Sequence, residues 1–232
     1  MKKIKVHSLT GRITPELMRK AFQAVKQNRG AAGVDKVSIQ MFAANLEENL
    51  TALMRELKTR SFKPLPLRRV YIPKGPGSTK QRPLGIPVVR DRVAQEVIRR
   101  LLAPIFEPQF HENSYGFIPR RNCHQAIEQV LKLHGEGRLT VLDADIQGFF
   151  DNLAHRMIME AVAEEVADGN ILQLVERFLT AGVMEDGTFQ RTTVGTPQGG
   201  VISPPGRLHH ICLAAKALID ASLPIRAPPG ES

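Results

Sequence analysis

Apolar residues recur at helical spacing through the first sixty positions. Leu17, Met18, Ala21, Phe22 and Val25 form one such stripe. Thr14-Pro15-Glu16 opens it with a capping hydroxyl, a proline at the first helical position and an acid in the first turn, and Gly30 closes it. A second helix is expected from Ser38 to about Thr59, with Phe42, Leu46, Leu50, Leu53 and Leu57 on its buried face. Residues 61–90 change character: prolines at 64, 66, 73, 76, 83 and 87 and glycines at 75, 77 and 85 leave room only for short strands such as Arg69-Val70-Tyr71-Ile72. Further helices are expected from about Asp91 to Leu102, ahead of Pro104, then near His124–Leu133, and at roughly 155–167 and 170–181. The run at 139–146 reads as a buried strand, and residues 184–189 as a hairpin with an Asp-Gly turn. The pattern is mixed α+β, with no internal repeat.

Composition narrows the class. With 232 residues, 42% hydrophobic and 24% charged, the chain has enough apolar sequence for a buried core and is not a disordered polyelectrolyte. No apolar run reaches the 18 or so residues of a membrane helix, and the Lys-rich start is not followed by an apolar signal segment. Two cysteines make neither a disulfide framework nor a four-ligand zinc site, so a cytoplasmic location is expected. Charge is unevenly placed. Residues 1–100 carry 22 Lys and Arg against 7 Asp and Glu, a net of +15, whereas residues 101–232 carry 10 against 16, a net of −6. A basic half joined to an acidic half suits a polyanion surface beside a carboxylate-rich site, or a basic surface that serves solubility.

Three segments carry candidate chemistry. In Leu142–Asn152 the acids Asp143 and Asp145 alternate with apolar residues, which puts both on one face of a strand. Such a pair suits magnesium, which favours one or two carboxylates with phosphate oxygens, and equally a solvated strand end. Between Val70 and Pro87, Lys74, Lys80 and Arg82 lie around a Gly/Pro-rich turn, which suits a triphosphate cradle or a basic surface hairpin; it lacks the ending of a P-loop. Val194–Pro204 is a second Gly/Pro-rich turn whose amide side chain, Gln198, is flanked by glycines.

Taken in order, these strings resemble a reverse transcriptase of the group II intron (maturase) type over about residues 11–204. The resemblance rests on Gly33-Val34-Asp35 with Ser38, on Tyr-Ile-Pro-Lys followed by Arg-Pro-Leu-Gly-Ile-Pro, and on Asp91-Arg92. It continues through Ser114-Tyr115-Gly116-Phe117-Ile118-Pro119, Asp-Ile-x-Gly-Phe-Phe-Asp-Asn and Thr-Pro-Gln-Gly-Gly-Val-Ile-Ser-Pro. It implies an α+β right-hand polymerase fold. The reverse transcriptase domain would span 1–204, with fingers at about 1–138 and a partial palm at about 139–204. It implies RNA-directed DNA polymerase activity by two-metal nucleotidyl transfer with Mg2+. The implied partners are an RNA template or intron RNA, a DNA primer and dNTPs, with no membrane. By the same resemblance Asp145 is a catalytic metal ligand assisted by the Ile146 carbonyl. Lys74 and Arg82 grip the triphosphate, Phe150 excludes a ribose 2′-hydroxyl, and Gln198 lines the nucleotide pocket. The resemblance favours Asp145 over Asp143 as the ligand, because the family's ligand is the acid directly before the isoleucine. Asp151 and Asn152 are expected to order the next turn, and Arg120 and Arg121 to touch template phosphates or to form a solvated face.

The likeness stops at Pro204. Residues 205–232 diverge in place of an apolar helix and a Tyr-x-Asp-Asp hairpin, and no Asp-Asp pair occurs in the chain. A frameshift or deletion near position 204 is the expected cause. The expectation for this chain alone is therefore no polymerisation, and the alternative is a non-catalytic, maturase-like RNA-binding fragment that assists splicing.

Overall fold

In the computed structural model, Thr14 starts the first helix as expected: its hydroxyl accepts from the Leu17 amide, and α1 runs Pro15–Gln27. Residues 5–73, 75, 77–116, 118–141 and 152–195 are described. Arg29 (φ 53°) and Gly30 (φ 114°) then turn the chain away from the helix. The single helix expected from Ser38 is instead two, α2 (Ile39–Ala44) and α3 (Leu46–Lys58), broken at Asn45 with φ −120° and ψ 48°. The break is compensated locally, because the Asn49 side-chain amide donates to the freed Phe42 carbonyl at 2.9 Å. Phe42, Leu50, Leu53 and Leu57 remain buried on either side of it.

The Pro-rich stretch forms strands β1 (Leu67–Pro73) and β2 (Gln81–Ile86), then α4 (Val89–Phe106). This helix begins two residues before the expected Asp91 and passes through Pro104 instead of stopping ahead of it. Proline inside a helix costs about 3 kcal/mol. Burial of Leu101, Leu102 and Phe106 offsets that cost and carries the helix one turn on. Next, α5 (Cys123–Gly135) starts at a reciprocal capping box between Asn122 and Gln125. Residues 139–141 depart from the buried strand expected there: Leu139 and Val141 are 70% and 81% exposed and pair with no strand among the described residues. The remainder of that segment lies outside the described residues. Helices α6 (His155–Glu165) and α7 (Gly169–Leu179) and the hairpin β3 (Val183–Glu185) to β4 (Thr188–Gln190) fall where the sequence puts them. Its turn uses Asp186 and Gly187, both at positive φ.

The four strands form one sheet in the order β2-β1-β3-β4. β1 pairs antiparallel with β2 and parallel with β3, and β3 antiparallel with β4. The core gathers around α4, whose Val93, Ala94, Val97 and Ile98 are packed with residues of α1, α3 and α7. No helix among the described residues is long and apolar enough to cross a membrane.

The N-terminal segment is tied to the far end of the chain. Val6 donates to the Glu165 carbonyl and accepts from Ala167. Asp168 both caps α7, accepting from the Asn170 and Ile171 amides, and accepts from the Thr10 amide (2.7 Å) and hydroxyl (2.9 Å). Burial would raise the Asp168 carboxyl, but the Thr10 and α7 bonds outweigh it and hold the group below its ordinary value. Asp168→Ala removes the cap and the staple together, and a loss of about 2 kcal/mol is expected from the shift in urea midpoint.

Candidate functional site

Of the residues the sequence assigns to metal or nucleotide, Arg82 is the one among those described. It lies on β2 opposite Ile72 and is exposed. Alternation along the paired strands puts Arg68, Val70 and Ile72 of β1 on one sheet face with Arg82, Leu84 and Ile86 of β2. Arg68 and Ile72 stand four residues apart, roughly 13 Å along the strand. The face is therefore an apolar, half-buried floor with a guanidinium toward each end. Beyond Arg82 the hairpin tip is shaped by Gly77 at φ 73° and by Ser78, whose amide donates to the Gly75 carbonyl.

The near end of that floor is closed by the loop between α1 and α2. Arg68 donates to the Ala32 carbonyl from both Nε (3.1 Å) and Nη2 (2.8 Å). From the start of α4, Arg92 reaches the same loop: Nη2 donates to the Ala31 carbonyl and Nη1 to Arg29 at 3.4 Å, while Nε holds Pro87 at 3.1 Å. Two glycines allow this approach. A Cβ on Gly30 would lie 2.7 Å from Arg92 Nη1, and one on Gly33 would lie 2.6 Å from the Val88 nitrogen. Gly33-Val34-Asp35 is thus a close backbone crossing, and Asp35 completes it by accepting from the Val37 amide. The loop leaves Arg29 and Lys36 exposed in left-handed conformations.

On the opposite sheet face, Tyr71 donates to Glu185, which also accepts from Gln190 at 3.2 Å. The hydrogen bond to Glu185 raises the Tyr71 hydroxyl above its ordinary pKa. Beneath the hairpin, Asp91 is only 1% exposed and accepts from the Leu65 amide at 2.7 Å. Burial pushes its carboxyl up to about 7, against the lowering effects of the Leu65 amide and Arg90. Burial likewise lowers Arg92, with Asp35 opposing. Sequence reasoning noted Asp91-Arg92 only as a string and missed both the Arg68 and Arg92 anchors. The paired glycines at 30 and 33 were the available signal.

Lys74, Asp143, Asp145, Ile146, Phe150, Asp151 and Gln198 lie outside the described residues. Among the described residues no three His, Cys, Asp or Glu side chains converge as a metal site. Arg121 is no free phosphate contact in its entirety, since its Nη1 donates to the carbonyls of His111, Glu112 and Ser114. Arg120, its neighbour, is exposed at φ 66°.

Comparison with known proteins bears on the family and the fold. Residues 72–206 match the family described as reverse transcriptase (RNA-dependent DNA polymerase). The chain is 41% identical over 196 residues to Protein YkfC of Escherichia coli (strain K12), covering 82% of this chain and 51% of that protein. It is 37% identical over 194 residues to the group II intron-encoded protein LtrA of Lactococcus lactis subsp. cremoris, covering 83% and 32%. The chain thus spans about half of one relative and a third of the other. Among solved structures, a chain of a partial Cas6-RT-Cas1--Cas2 complex matches with a TM-score of 0.56 at 17% identity, over 90% of this chain and 33% of that one. At that identity the likeness carries the fold alone.

Proposed function

The chain belongs to the reverse transcriptase (RNA-dependent DNA polymerase) family, and from that premise we propose that it provides the fingers and the start of the palm of a group II intron-type RNA-directed DNA polymerase. The carrying observation is the sheet face that ends in exposed Arg82 and is closed by the Arg68-held loop, within a half of the chain bearing a net charge of +15. Fingers at about 1–138 and a partial palm at about 139–204 follow from this reading. Lys74 and Arg82 neutralise an incoming deoxynucleoside triphosphate, Phe150 closes against a 2′-hydroxyl, and Gln198 lines the base pocket. Asp145 and the Ile146 carbonyl are the groups we assign to a divalent ion, magnesium in our reading. An ion held by these two groups would supply Lewis-acid chemistry to nucleotidyl transfer, lowering the pKa of a primer 3′-hydroxyl and offsetting phosphate charge.

Primer extension on an RNA template with a DNA primer, dNTPs and Mg2+ tests the reading. Template-dependent product that disappears in Asp145→Ala supports polymerisation by this chain. With no Asp-Asp pair in its sequence, binding without extension is expected from this chain alone. The concentration of positive charge favours a second reading, a non-catalytic RNA-binding role in intron splicing. Its mark is salt-sensitive RNA binding that survives Asp145→Ala. Each neutralised phosphate contributes roughly −0.7 to the slope of log K against log salt for single strands. Arg82→Ala is accordingly expected to make the slope shallower by about 0.7, read by fluorescence anisotropy across a salt series.

A further inference from the structure

We propose that an open surface cavity of about 420 Å3 beside α5 binds one unstacked nucleotide of single-stranded RNA, at a site that shares no residue with the metal and nucleotide groups assigned above. The inference rests on the RNA-binding reading and names a place where a single base is held. The cavity is lined by Tyr115, Arg121, Gln125, Glu128, Gln129 and Lys132. Positions 125, 128, 129 and 132 recur at helical spacing, so α5 supplies one polar stripe as a wall and the loop before it supplies the other.

The loop wall and the first helical residue of the site are held before any ligand arrives. Arg121 Nη1 donates to the carbonyls of His111 (2.6 Å), Glu112 (2.9 Å) and Ser114 (2.6 Å), which ties down the loop that carries Tyr115. Gln125 Oε1 accepts from the Asn122 amide at 3.0 Å in the capping box, leaving its amide NH2 to donate elsewhere. Ligand binding therefore has little ordering cost to meet at the loop wall.

The chemistry selects the ligand. Tyr115 brings an aromatic face, on which a base can stack once it has left its own helix. The two amides and the Glu128 carboxylate offer donors and acceptors of the kind that read the edge of a splayed-out base. The Lys132 ammonium supplies the charge a 5′-phosphate needs, and the Arg121 guanidinium adds to it while its Nη1 stays on the backbone carbonyls. A bare anion would have no use for the ring and would be opposed by Glu128. A wholly apolar ligand would meet a lining that is polar but for the Tyr115 ring. The volume lies in the range of small-ligand sites and has room for one nucleotide.

The test uses the full chain and two probes. One is a short single-stranded RNA with 2-aminopurine at its centre, whose emission falls when it stacks. The other is a longer fluorescein-labelled RNA followed by anisotropy. Binding of the first is expected to quench the 2-aminopurine. Tyr115→Ala should weaken that binding roughly tenfold, in line with the measured effect of one base–aromatic stack, and Tyr115→Phe should retain it. Lys132→Ala, on an exposed helix position, should weaken it severalfold with an unchanged circular dichroism melt, which keeps the test decisive if the Tyr115→Ala variant misfolds. Unchanged affinity in both Tyr115→Ala and Lys132→Ala, with the longer RNA still bound, overturns the cavity and leaves the RNA-binding reading standing. Failure of the unsubstituted chain to bind either RNA overturns both. Quenching lost in Tyr71→Ala instead would put the base on the β1–β2 hairpin and also overturn the proposal.

Discussion

Replacing Arg92 with alanine is expected to lower the stability of the fold by about 4 kcal/mol, a loss that chemical denaturation would register as a large drop in midpoint. The side chain is 6% exposed and holds the carbonyls of Arg29, Ala31 and Pro87. Hydrogen bonds from a charged donor contribute about 1.5–3 kcal/mol each, and the carbonyls they leave behind lose a partner in a water-poor site. Lysine should recover little of this. It is one compact charge with rotatable donors, whereas the guanidinium spans two segments of backbone at once. The same variant should weaken RNA binding by more than its single charge accounts for, since the α1–α2 loop and its Arg29 and Lys36 would no longer be held at the edge of the sheet. Anisotropy measured well below the unfolding midpoint separates that effect from global unfolding.

The second large effect belongs to Asp91, and it runs opposite to the usual behaviour of a carboxylate. In the unfolded chain the group ionises near 3.8; in the folded chain burial raises this to about 7. Between those values the folded state keeps a proton that the unfolded state has released. The stabilising contribution is therefore complete below pH 4, declines as pH rises toward 7 and is lost above it. The span corresponds to stability on the order of 4 kcal/mol. Asp91→Asn preserves an acceptor for the Leu65 amide and removes the titration. The expected result is that wild type minus variant stability falls steadily between pH 4 and 7 and is flat above. A difference that stays constant across that range would show that Arg90, 3.6 Å away, balances the buried charge.

How far the sequence reveals this molecule depends on the range over which each feature is determined. The start of α1 is local: Thr14 and Pro15 settle it within one turn, and Asp186-Gly187 settles the β3–β4 turn in the same way. The break at Asn45 is invisible to periodicity, because Phe42, Leu46 and Leu50 continue the stripe straight through it. Pro104 misleads in the other direction: a strong local stop signal is overruled by the burial of Phe106. Leu139 and Val141 have the composition of a buried strand but find no partner strand among the described residues. Ordered motifs disclosed the family, since they depend on wording. The Arg68 and Arg92 anchors did not show, because each joins residues 36 to 63 positions apart and any exposed arginine would look the same on paper.

The sheet order has a consequence for how the chain is made. β1 forms its hairpin with β2 as soon as both have been synthesised, but its other edge must wait for β3, about 110 residues later. At roughly 5–20 residues per second the wait is about 5–20 s, during which a nascent strand edge stands open to pairing with other chains. β1 carries adjacent arginines, Arg68 and Arg69, within that edge. Charge of this kind is what keeps an open strand from templating aggregation. The arginine that later fixes the α1–α2 loop thus has an earlier task, guarding the growing polypeptide on the ribosome until its central strand is enclosed.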